Sequence, residues 1–140
     1  MLIAGEWTDS EDGSTSDALN PATGEVIATT PKATIDDVER CVAASRAALK
    51  SRDWAAMDPA QRGRVLQKMA AATYANAKSL AAIESSNNGK TFREALSEIR
   101  YGAWTLEYFA GLSDKIEGST IPVPGNRLNY TLRQPLGVTA

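Results

Sequence analysis

Residues 58–90 read DPAQRGRVLQKMAAATYANAKSLAAIESSNNGK, and residues 91–118 continue TFREALSEIRYGAWTLEYFAGLSDKIEG. Asp58 has N-cap chemistry, Pro59 suits the first helical position, and Gln61 closes a capping box, so a helix starts here. Its apolar stripe runs through Leu66, Met69, Ala70 and Thr73. Asn76 then offers a second N-cap before Leu80 and Ile83, and Gly89 supplies a C-terminal stop. Two consecutive helices bent near Asn76 follow from this pattern. In the next stretch Phe92, Leu96, Ile99, Ala103, Leu106 and Ala110 recur at steps of three or four. That spacing predicts a long amphipathic helix ending near Gly118, weakened at Gly102 by about 1 kcal/mol relative to alanine.

Upstream, residues 34–51 place Ile35, Val38, Val42 and Leu49 on one helical face, with Thr34 as N-cap and Asp36 and Asp37 in the first turn. Residues 1–33 are strand material in three pieces, LIAGEW, TSDAL and EVIATT. Asn20, Pro21 and Gly24 give the turn chemistry of a hairpin between the last two. Downstream, Leu128, Tyr130 and Leu132 alternate with polar residues as a half-buried strand would, and Pro135 ends it. Leu136, Val138 and Ala140 then read as the opening of a second apolar strand. The fold class is helix-rich α+β with an N-terminal β-hairpin and a C-terminal strand. No repeat, linker or composition shift divides the 140 residues into domains.

Composition narrows the chemistry. A net charge of -2 gives no electrostatic case for nucleic acid or an anionic membrane. No stretch approaches a membrane span, and the first residues lack the basic start and apolar run of a signal peptide, so a cytoplasmic location is expected. The single cysteine excludes an internal disulfide, and the absence of histidine excludes Ser-His and Cys-His nucleophile pairs and His-based metal sites from these residues.

Cys41, mid-helix beside the stripe and without a histidine base, reads as a small, partly buried filler. Asp36, Asp37 and Glu39 read as acids on a solvated face that complement the helix dipole. Glu94 and Glu98 stand with Arg93 and Arg100 on the charged side of the last helix, with nothing to shift a pKa toward acid–base work. No G-x-G-x-x-G or P-loop occurs, and NNGK is a helix stop. Taken residue by residue, no catalytic site is present.

Taken together, the blocks IAGEW, NPATGEVIATTPKATIDDVERCVAASRAAL, DPAQRGRVLQKMA, ESSNNGKTF, YFAGLSDKIEGSTIPVPG and NYTLRQPLGV resemble, in order and spacing, the N-terminal portion of an aldehyde dehydrogenase. The resemblance covers nearly the whole chain. It implies a fragment of the aldehyde dehydrogenase α/β fold: residues 1–140 as the N-terminal part of the coenzyme-binding domain, with 127–140 starting the strand region used in oligomerisation. It also implies an enzyme that oxidises an aldehyde to a carboxylic acid through a cysteine thiohemiacetal, with NAD or NADP, commonly as a homo-oligomer. The family's catalytic cysteine, general-base glutamate, oxyanion asparagine and cofactor-binding residues would all lie beyond these residues, so this chain alone is expected to be inactive and to bind no cofactor.

Two minor sites carry over with the resemblance. Some relatives bind an alkali cation through backbone oxygens near Ala18 and Leu19 and through the position of Asn87, where several members have aspartate. The local alternative is that Asn87 bonds helix-end backbone beside Gly89. Ser97 and Tyr101 share a helix face that approaches the mouth of the substrate tunnel in relatives; ordinary packing is the other reading of Tyr101. Two further roles remain open: a non-catalytic binding or assembly module that docks on a full-length relative or complementary chain, and an independently folded helical protein.

Overall fold

Ala4 and Gly5 both have left-handed backbone, φ 53° and 87°. This two-residue turn folds the LIAGEW stretch, expected as one strand, back on itself, so that β1 (Leu2–Ile3) pairs antiparallel with β2 (Glu6–Trp7). The structure, a computed structural model, describes residues 1–139. The expected hairpin follows as β3 (Thr15–Leu19) and β4 (Val26–Pro31). Its turn is held by Asn20, whose side-chain oxygen accepts from the Ala22 amide at 2.9 Å and whose carbonyl accepts from Gly24 at 2.7 Å.

Thr34 and Asp37 close a reciprocal capping box at the start of α1 (Ile35–Lys50), and the short α2 (Arg52–Ala55) adds a turn that the sequence pattern did not show. The helical body begins at α3 (Pro59–Ala75), capped by Asp58 and Gln61 as the sequence predicts. The chain breaks at Asn76, continues as α4 (Ala77–Asn88), stops at left-handed Gly89 (φ 83°), and reverses into α5 (Phe92–Leu112). The Asn76 side chain does not cap α4; it turns back to donate to the Ala72 carbonyl at 2.8 Å, closing α3 instead.

Helix α5 stops at Leu112, short of Gly118; at its end the Ser113 amide donates to the Ala110 carbonyl at 3.4 Å, and the Ser113 hydroxyl lies 3.2 Å and 3.0 Å from the Phe109 and Ala110 carbonyls. Beyond it, β5 (Thr120–Ile121) pairs antiparallel with β6 (Asn129–Tyr130). The strand expected through Leu128 and Leu132 is thus shorter, its ladder extended by one bond from the Thr131 amide to the Ser119 carbonyl at 2.9 Å. Leu136 and Val138 lie in no strand, and Ala140 is outside the described residues.

Packing is concentrated where α5 lies against α3 and α4. An alanine Cβ at Gly63, near the start of α3, would meet the Ala110 carbonyl oxygen, near the end of α5, at 2.7 Å, so the two helices run antiparallel and touch backbone to backbone. The buried seam is made of Ala70, Ala77, Ala81, Ala95, Ala103 and Ala110. Several larger stripe residues face outward: Ile35, Val38, Met69, Leu80, Ile83 and Phe92 are exposed. Periodicity marks the face that must be covered, but small side chains here set how closely neighbouring helices approach, and they take the buried positions.

The chain exposes 11002 Å². A compact monomer of 14.9 kDa exposes about 7,000 Å². Exposed large apolar side chains on α1, α3, α4 and α5 and around β6 contribute to the difference.

Candidate functional surface

The β3–β4 ladder has an irregularity between Ala18 and Leu19: Ala18 faces Ala28, and Leu19 faces Val26. The residue left without a partner by this irregularity is Ile27 on β4, while Ala18 and Leu19 both stay paired. The end of α4 comes close to the same hairpin, since a Cβ on Gly89 would lie 2.7 Å from Pro21 Cγ. Asn87 is exposed, and its side chain makes no hydrogen bond among the described residues, so the expected local bond to helix-end backbone is not formed. The structure therefore brings the α4 end to the hairpin turn. No cluster of three or more His, Cys, Asp or Glu able to hold a metal occurs among the described residues.

Asp37 departs from its expected place on a solvated face. Its side chain is fully buried, the only large one so enclosed among the described residues. Its carboxylate accepts from the Thr34 amide at 2.9 Å, the Thr34 hydroxyl at 3.0 Å and the Glu11 amide at 3.3 Å, and it pairs with Arg40. Ser10 Oγ lies 2.6 Å from the Lys32 carbonyl and 3.3 Å from Asp37. The Thr34 amide first, and then Arg40, hold the Asp37 carboxyl well below the usual carboxylate range. The first-turn acid thus ties the loop after β2 to the start of α1. The sequence signal was present, an acid three residues after a Thr cap, but the second partner lies 26 residues away.

On α5, Ser97, Tyr101, Trp104 and Tyr108 follow one another at helical spacing on an exposed face. Tyr101 is 67% exposed and stacks on Trp104 at 5.4 Å between ring centroids; Trp104 stacks on Tyr108 at 5.9 Å, and Phe109 meets Tyr108 edge-on at 5.4 Å. Ser97 and Tyr101 lie on one exposed face of α5, where Tyr101 packs on Trp104 of its own helix. Trp104, Tyr108 and Phe109 were not singled out from sequence, although their spacing from Tyr101 was available to show the stripe.

The remaining polar candidates are accounted for locally. Cys41 is half-buried, as a filler would be, and free. Glu94 accepts from the Thr91 hydroxyl at 2.8 Å at the start of α5. Glu98 pairs not with an arginine of its own helix but with Lys90, which also reaches Glu84 at 3.0 Å; the two acids push the Lys90 ammonium pKa up. Lys90 thereby pins the turn between α4 and α5. No helix among the described residues is long and apolar enough to cross a membrane.

Among the described residues, α5 lies against α3 and α4, the strands form separate two-stranded antiparallel pairs, and an aromatic face of α5 is exposed. The family model for the aldehyde dehydrogenase family matches residues 7–140, and the chain belongs to that family. Human mitochondrial 10-formyltetrahydrofolate dehydrogenase is 38% identical over 144 residues, which cover 99% of this chain and 16% of that protein. Among solved structures, an aldehyde dehydrogenase from Bacillus cereus superposes with a TM-score of 0.92 at 36% identity, covering 97% of this chain and 28% of that one. A point mutant of betaine aldehyde dehydrogenase from Staphylococcus aureus, solved with NAD+, gives 0.83 at 34% identity, covering 88% and 25%. The chain thus spans between a sixth and less than a third of the length of these relatives.

Proposed function

We propose that this chain is the N-terminal part of an NAD(P)-dependent aldehyde dehydrogenase, which oxidises an aldehyde to a carboxylic acid, and that these residues support that chemistry without performing it. The observation that carries the reading is the combination of a close structural match to a fraction of much longer chains with a surface far larger than a self-contained monomer exposes. In the intact enzyme the cofactor, when bound, accepts the hydride. A dinucleotide site uses a parallel sheet and a glycine-rich turn, and the described strands form two-stranded antiparallel pairs, so we assign the cofactor to other parts of the enzyme. No step of the reaction is assigned to the residues of this chain.

Within that reading, Ser97 and Tyr101 stand toward the mouth of the substrate tunnel, and Ala18, Leu19 and Asn87 contribute oxygens to an alkali cation. The approach of the α4 end to the hairpin turn and the exposure of Asn87 support the second assignment. Residues 127–140 begin the strand region used in homo-oligomer assembly; the short β6 ladder and the exposed Leu128 and Leu132 beside it support this. A cytoplasmic location belongs to the same reading.

A second reading, a non-catalytic module that docks on a full-length relative or a complementary chain, draws on the same uncovered α5 face. An NADH assay with the purified chain, with and without co-expression of the remaining portion of the Bacillus cereus relative, tests the proposal. No NADH from the chain alone and aldehyde-dependent NADH on complementation are expected. Aldehyde-dependent NADH from the pure chain would overturn it, and stable docking on a full-length relative without restored turnover in the split pair would favour the module.

A further inference from the structure

Helix α5 has two apolar faces. Ala95, Ala103 and Ala110 are buried where it lies against α3 and α4. At 3.6 residues per turn, Tyr101, Trp104 and Tyr108 stand on the opposite side, and each is half or more exposed. A helix that is apolar on both sides is built to be covered on both. The rings are already ordered in the single chain, each stacked on the next at 5.4 Å and 5.9 Å, with Phe109 edge-on against Tyr108. Covering them therefore costs little further side-chain entropy. The four rings leave about 450 Å² of aromatic surface per copy, and about 900 Å² for two copies. Arg100 and Glu107, both exposed, follow one flank of this stripe. With them a pair reaches roughly 1,200 Å², where specific interfaces begin.

We propose that a second copy of this chain covers the stripe, the two α5 helices packing antiparallel about a two-fold axis at Trp104. A two-fold contact is self-complementary: where one residue meets a second, the second meets the first. In an antiparallel pair like flanks adjoin, and positions equally far before and after Trp104 face each other. Arg100 of each copy then lies beside Glu107 of the other, so two unlike-charge pairs border the rings. A parallel pair would set Arg100 on Arg100 and Glu107 on Glu107, which selects against it. Within one helix these two charges stand about 10 Å apart along the axis, too far to pair with each other. Neither belongs to an ion pair among the described residues. An interface at this lower bound gives a weak dimer, with a dissociation constant of roughly micromolar order. The pairing is a property of the chain on its own, so it stands or falls apart from the enzymatic reading.

Sedimentation of the full chain and of two variants, Arg100→Glu and Glu107→Arg, run singly and as an equimolar mixture, tests the pairing. The parent chain is expected to show a concentration-dependent dimer. Each variant alone places like charges at both contacts and weakens the dimer by about tenfold or more. The mixture regains the parent's strength, because a chain with two acids then meets a chain with two arginines. A variant that had merely lost its fold could not be restored by mixing with another, so recovery separates pairing from misfolding. Absence of a dimer in the parent chain, unchanged association in either variant, or a mixture no stronger than its components would each overturn the proposal.

Discussion

Asp37 shows how a single residue can be placed correctly on an element and wrongly in its environment. Its position three residues after Thr34 predicts the capping box, and the box forms. Its burial depends on Ser10, Glu11 and Lys32, which no local pattern connects to it. Replacing Thr34 with alanine should cost about 1 kcal/mol at the start of α1. Replacing Asp37 with asparagine should cost more, because the Arg40 pair and the anionic acceptor for Glu11 go with the charge.

The Asp37 carboxyl is depressed in the folded chain, so its stabilisation is complete above the ordinary aspartate pKa of about 3.9. It is lost as pH falls from there toward the depressed value. Amide exchange of residues 9–14 and 34–38, normalised at each pH to an unstructured peptide, should show protection that weakens only in that acidic range. In Asp37→Asn, protection should be low at every pH; unchanged protection in that variant would contradict the latch.

At the scale of elements, the starts of α3 and α5 and the Gly89 stop were legible from caps and periodicity. The hairpin of β3 and β4 was legible from its turn residues. The buried seam was less so: Ala103 and Ala110 lay in the stripe read for α5, whereas Leu80, Ile83 and Phe92, read in the same way, stay exposed. The cation and tunnel positions came from resemblance alone, since a bulge and an exposed helix face carry no local signal of a ligand.

Gly63 tests the seam directly. A Cβ there meets the Ala110 carbonyl at 2.7 Å, and backbone cannot step aside as a flexible side chain can. Gly63→Ala should therefore destabilise the α3–α5 contact by about 1–3 kcal/mol despite the better helix propensity of alanine. The readout is lost amide protection along both helices; a gain in protection would show that the close approach is not maintained.

For the whole molecule, the decisive quantity is surface. The chain exposes 11002 Å² where about 7,000 Å² would serve a compact monomer of its mass, and a stable protein interface buries roughly 1,200–2,000 Å². The excess is more than one interface, spread over the aromatic stripe of α5, the outer faces of α1 and α4, and the segment around β6. This agrees with a chain that superposes on 28% of a longer relative and keeps there the shape that the rest of that fold would cover. Light scattering of the pure chain on a size-exclusion column tests that claim most directly. Self-associated species well above 14.9 kDa are the predicted result; a monodisperse 14.9 kDa monomer that unfolds cooperatively would contradict it.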